Sequence, residues 1–119
     1  MFLPFIRKNS NASVAFAASA VSGTDLTTYT FSGHSIGTAG RRHVIVGISG
    51  MSTVADRTIS SVTVGGITAT SVIQISNNNG TFFQRSAIYV AVVPTGTTAD
   101  IVVTWSAGQL CTGIATWAA

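Results

Sequence analysis

Residues 57–76 read RTISSVTVGGITATSVIQIS, and the middle of that stretch decides the fold. Two runs rich in Val, Ile and Thr flank Gly65-Gly66. Stiff β-branched side chains pack well on a pleated sheet and favour strands. Two adjacent glycines can both take positive φ, as a two-residue hairpin turn requires, so the stretch predicts an antiparallel β-hairpin.

The same grammar repeats outward in both directions. Upstream, RRHVIVGISG (41–50) holds an almost unbroken apolar run, the pattern of a central strand buried on both faces. GTAG (37–40) breaks the chain before it, and LTTYTFSGHSI (26–36) sets Tyr29 and Phe31 on one side. SGTD (22–25) is a turn cluster. SVAFAASAV (13–21) alternates, with Val14, Phe16, Ala18 and Ala20 on one face of a half-buried strand. Between the central strand and the hairpin, MSTVAD (51–56) is a connection. Downstream, NNNG (77–80) signals another turn, and TFFQRSAIYVAVV (81–93) is a long strand ended by Pro94-Thr95-Gly96. ADIVVTW (99–105) places Ile101, Val103 and Trp105 on one face, SAGQ (106–109) turns, and LCTGIATW (110–117) closes the series.

Strand segments, about eight of them at a spacing of about ten residues, predict an all-β antiparallel β-sandwich of jelly-roll or Ig-like type, with an up-and-down barrel as the lesser alternative. The sandwich is expected over residues 13–119, behind an extended N-terminal arm at 1–12. No segment has helical periodicity, and no apolar run approaches the length of a membrane-spanning helix.

Composition agrees. Only 8% of the 119 residues are charged, with no Glu and one Lys, against about 25% in ordinary soluble domains. The net charge of +3 comes from scattered residues rather than a basic stripe with interleaved aromatics, so no nucleic-acid partner is expected. A surface so poor in repelling charge suits a protein packed against copies of itself or against other proteins. Cys111 is the lone cysteine, which rules out an intrachain disulfide and reads as a small core residue.

The residues that could carry chemistry are sparse. His34, His43 and Cys111 are zinc-type donors, but no close-spaced ligand pair joins them. A hydrolytic triad would need Ser, His and an acid, and no nucleophile elbow is present. Asp25, Asp56 and Asp100 stand alone at strand borders, where Asp commonly shapes turns. No catalytic residue, metal or cofactor is therefore expected. Asn11-Ala12-Ser13 and Asn79-Gly80-Thr81 match the glycosylation pattern, the second being equally a turn. Among the aromatics, Tyr89, Trp105 and Trp117 are expected mainly in the core. Phe82 and Phe83 are adjacent, so one of them should face an interface or a glycan.

The run TYTFSGHSIG…RRHVIVGISG…RTISSVTVGGITAT…AIYVAVVPTGTTADIVVTW resembles a β-sandwich module of tailed-bacteriophage structural proteins and related prophage products. SVTVGGITAT and VVPTGTTADIVVTW carry the likeness, which starts near Leu26 and covers roughly three-quarters of the chain. It implies a virion component, such as a tail fibre, a baseplate or a head-decoration subunit, and no catalytic residue carries over.

Outside that likeness lies the opening MFLPFIRKNS. Its apolar residues precede the basic ones, the reverse of a secretory signal, although Ala18-Ser19-Ala20 mimics a cleavage site. As a membrane anchor it is too short, and Pro4 limits a helix. A docking arm remains, in which Phe2, Leu3, Phe5 and Ile6 fill a groove on a neighbour while Arg7 and Lys8 meet carboxylates at its rim. At the other end, the chain stops at Trp117-Ala118-Ala119 straight out of a strand. Either the strand is the terminus or a longer polypeptide continues.

The expectation is a non-enzymatic structural component of a tailed-phage virion, assembled in the host cytoplasm. A tail fibre or tail-tip subunit attached by its arm comes first, a capsid decoration protein second, and a carbohydrate-binding module third, from another class. Expected partners are other virion proteins and copies of the chain, with a host-surface glycan as a further candidate and no membrane.

Overall fold

The structure, a computed structural model, describes residues 13–119. The arm at 1–12, with Phe2, Leu3, Phe5, Ile6, Arg7 and Lys8, lies outside the described residues. Nine strands follow: β1 (Ala15–Ser22), β2 (Leu26–Ser35), β3 (His43–Ser52), β4 (Ile59–Val64), β5 (Ile67–Thr68), β6 (Thr70–Asn78), β7 (Phe83–Val92), β8 (Thr98–Gln109) and β9 (Cys111–Ala118). They form two antiparallel sheets, ordered β1-β9-β3-β7-β6 and β2-β8-β4-β5, with the apolar core between them. The described residues contain no helix.

The expected hairpin sits at the centre of this topology. Gly65 and Gly66 take φ of 58° and 82°, and Val64 pairs with Ile67 across them. Other strand pairs nest around that turn. Val46 pairs with Tyr89, Phe31 with Ile101 and Ala15 with Ala118, each pair almost equidistant in sequence from the two glycines. The chain is thus one long antiparallel hairpin curled into two facing sheets, which is the jelly-roll arrangement, the first of the two expected sandwich types.

Three departures from the sequence expectation have local causes. First, the return strand of the hairpin is split. Ala69 still donates to the Val62 carbonyl at 2.9 Å, but from Thr70 the chain crosses to the other sheet and pairs with β7. Second, β1 carries a bulge between Phe16 and Ala18. One extra residue reverses the alternation, so Ala18 and Ala20 turn inward while Phe16, 61% exposed, turns out. Third, β8 continues through residues 106–109, where a turn was expected, shifting register against β2 there, and reverses only at Leu110.

The core is filled from both sheets. Tyr29, Val62, Ile101, Val103 and Trp105 of the four-stranded sheet face Val44, Val46, Ile48, Tyr89 and Ile114 of the other. Burial of each large apolar side chain contributes about 1.5–3 kcal/mol. Most polar groups among them are paired, as burial demands, although the Oε1 of the buried Gln109 has no partner among the described residues. The Trp105 Nε1 donates to Thr112 Oγ1 at 2.9 Å. Arg42, buried without a carboxylate, donates to the carbonyls of Val93, Gly37, Thr95 and Gly96, and so clamps the loop before β3 to the loop after β7.

Candidate functional site

The outward side of the five-stranded sheet is built by register. Phe16, Trp117, Ile45, Val90 and Thr70 form one row across β1, β9, β3, β7 and β6. Ser19, Ala115, Gly47, Ile88 and Ile73 form the next. Val21, Gly113, Ser49, Ser86 and Ile75 form a third. No residue in these rows is charged, and the only polar groups are the hydroxyls of Thr and Ser.

Relief on this face follows from residue size. Gly47, Gly113 and Ala115 leave a shallow depression of about 620 Å³, bordered by Val21, Ser49 and Trp117. Trp117 lies along it: a Cβ built on Gly47 would stand 3.1 Å from the indole ring. Phe16 meets Trp117 edge-on, with centroids 5.9 Å apart and planes at 68°. Aromatic pairs favour this geometry.

Trp117 therefore stands outside the core, contrary to expectation. β9 points Thr112, Ile114 and Thr116 inward and Cys111, Gly113, Ala115 and Trp117 outward. The lone cysteine is accordingly half-buried on the outer face rather than in the core. The outer residues of β3, Ile45 and Gly47, are likewise only half-buried, although the run was expected to be covered on both sides. A central strand with the composition of a doubly buried one thus has one side open within the described domain.

Residues weighed for chemistry are dispersed. The His34 Nε2 lies 3.0 Å from the buried Thr116 Oγ1, whose own proton goes to the Ser35 carbonyl at 2.8 Å. His43 opens β3, and its backbone pairs with Ala119. Asp100 Oδ1 accepts from the Gly33 N–H at 2.9 Å. Asp56 forms a 3.0 Å ion pair with Arg85. Among the described residues no three His, Cys, Asp or Glu side chains converge as metal ligands. The hydroxyl and imidazole that do meet, Thr116 and His34, are both buried, whereas the outer face offers surface.

A second, smaller surface lies at the β6–β7 turn. Asn78 Oδ1 accepts from Gly80 N, and Asn79 Oδ1 accepts from Thr81 N and Phe82 N at 3.0 and 2.8 Å. These bonds hold Phe82 outward, 41% exposed, while Phe83 enters β7 half-buried. Asn77, Asn79, Phe82 and Gln84 line a small hollow of about 80 Å³. Of the adjacent pair, Phe82 is the exposed member.

Comparison with protein-family models, curated proteins and solved structures finds no match to this chain.

Proposed function

We propose that this chain is a non-enzymatic structural subunit whose work is packing against copies of itself and other proteins of a virion. The observation that supports it best is the uncharged outer face of the five-stranded sheet, with a central strand whose composition matches burial on both sides. Apolar, charge-free surfaces of this kind mark contact sites. A surface of hydroxyls and apolar groups can sum weak single contacts over many copies at high effective concentration. Placement in a tailed phage, as a tail fibre or tail-tip subunit held by the arm at 1–12 or as a capsid decoration protein, rests on the sequence likeness alone.

The test is the composition of purified particles. The chain should be found in them by mass spectrometry and immunogold labelling, and deletion of residues 1–8 should abolish its incorporation. Particles that lack the chain sink the virion reading, and unchanged incorporation of the deletion sinks the docking arm.

A second reading, carbohydrate binding, has one observation in its favour. An exposed aromatic ring beside three amide side chains is suited to stacking on a sugar and bonding its hydroxyls. It requires a glycan-array signal that Phe82→Ala removes; an array with no signal eliminates it.

A further inference from the structure

We infer that β6 is a self-pairing edge, through which two copies of this chain join antiparallel and merge their five-stranded sheets into one. The inference deepens the self-packing part of the proposed function and rests on it.

An open edge restricts its occupant far more than an apolar face does. Its alternating N–H and C=O groups are matched only by another extended backbone. β6 pairs with β7 on one side, and among the described residues no strand pairs with the other. Soluble proteins guard such edges with Lys, Pro, short length or a cover. β6 has nine residues, TSVIQISNN, with no charge and no proline. Its bulge falls between Ser71 and Ile73, which leaves the rest of the strand regular.

The side chains on this edge have little to do within the domain. Only Gln74 is half-buried, where it donates to the Tyr89 hydroxyl at 3.0 Å and accepts from Arg85 at 3.3 Å. Val72, Ile73 and Ile75 are 63%, 46% and 57% exposed. Serine or threonine would serve a solvent-facing edge as well, at no risk of association.

A second copy is the partner that this strand fits. Two antiparallel β6 strands related by a two-fold axis pair residue i of one copy with j of the other and j with i, so each strand meets its own sequence reversed. Like charges there would repel, and β6 has none. Ile73 and Ile75 of both copies would then continue the rows that run through Ile88 and Ser86, extending the outer face across the junction. The other edges are less suited: β5 has two residues, β2 shifts register twice, and β1, bulged once like β6, is in regular register only over residues 18–22, against 73–78 in β6. Strand pairing alone buries less than the roughly 800 Å² per partner of a stable complex, so the dimer is weak and gains strength from multiplicity.

The test is sedimentation velocity of the full chain over a concentration series, with hydrogen exchange along β6. Reversible dimerisation is expected, with β6 amides gaining protection as concentration rises. Ile73→Lys and Ile75→Lys, both at exposed positions, should keep the melting curve and weaken dimerisation by about tenfold or more. Ser19→Lys on the opposite edge and Ser49→Lys at the centre of the outer face should leave it within about twofold. A wild-type monomer throughout the series, or dimers whose β6 amides gain no protection, overturns the inference without any variant. Dimers that survive both β6 lysines, or that yield to Ser49→Lys instead, overturn it and leave the packing reading in place. Absence of the chain from particles would count against the virion reading alone.

Discussion

Trp105 is 1% exposed, and the room for its ring is made by Gly50 on the facing sheet. A Cβ at Gly50 would stand 2.5 Å from Trp105 Cζ2 and 3.0 Å from Gln109 Nε2. Neither neighbour is free to retreat, since the indole is held by Thr112 and Gln109 is buried. Gly50→Ala should therefore cost about 1–3 kcal/mol, the usual penalty for overpacking a core. Gly23→Ala, with nothing within 4 Å, should stay within about 0.5 kcal/mol. Urea titration of both variants decides the matter, and equal losses would refute the packing account. At this scale the sequence was least informative. Thr112 and Thr116 occupy core positions because each hydroxyl finds a buried partner, Trp105 in one case and His34 with the Ser35 carbonyl in the other. The Thr116 proton serves a carbonyl, so the imidazole must be the donor, with hydrogen on Nε2. Nothing in LCTGIATW announces such partners, since they lie on distant strands. Its apolar members were therefore assigned inward, and Trp117 and Cys111, which build the outer face, were missed.

Among the elements, the Gly65-Gly66 hairpin was legible because its chemistry is local. Two residues at positive φ must lie between two β-branched runs, and only glycine meets that demand without strain. A side chain forced to left-handed φ costs about 1–2 kcal/mol. Gly66→Val should lower the melting midpoint clearly, whereas Gly65→Asn, a residue tolerant of that region, should lower it little. A Gly66→Val protein as stable as the parent would show that the turn is not of this kind. The bulge in β1 and the crossover at Ala69 were not legible. The crossover takes the chain from one sheet to the other, and the bulge adds a residue to β1 against β9; alternation within a single strand records neither. That bulge is why Phe16 belongs to the outer face rather than the core. The Phe82-Phe83 pair, by contrast, was singled out from sequence as having one outward member, but Phe82 lies in the turn before β7, held by Asn79, and which of the two is exposed was not legible.

For the whole molecule, the number and order of strand segments predicted a sandwich, and the nested pairing around one turn makes it a jelly roll. Its candidate sites were harder to foresee. They depend on which sheet has an uncovered side and on β6 reaching past the two-residue β5, properties of the assembled sheets rather than of any stretch. The same nesting has a mechanical meaning. Ala15 pairs with Ala118, and among the described residues β1 pairs with β9 alone, so the described chain enters and leaves at adjacent points. Tension between its two ends would load the bonds of that ladder one after another, and β1 should peel away like a zipper at low force. Tension between the N-terminal end and β6 would instead act across the full width of the five-stranded sheet, straining its ladders together. Force spectroscopy with handles at Ser13 and Ala119, then at Ser13 and Asn77, should show the second pull to be the stiffer. A subunit gripped by β6 and tugged at its other edge would thus resist loads that would unzip the same domain pulled by its ends.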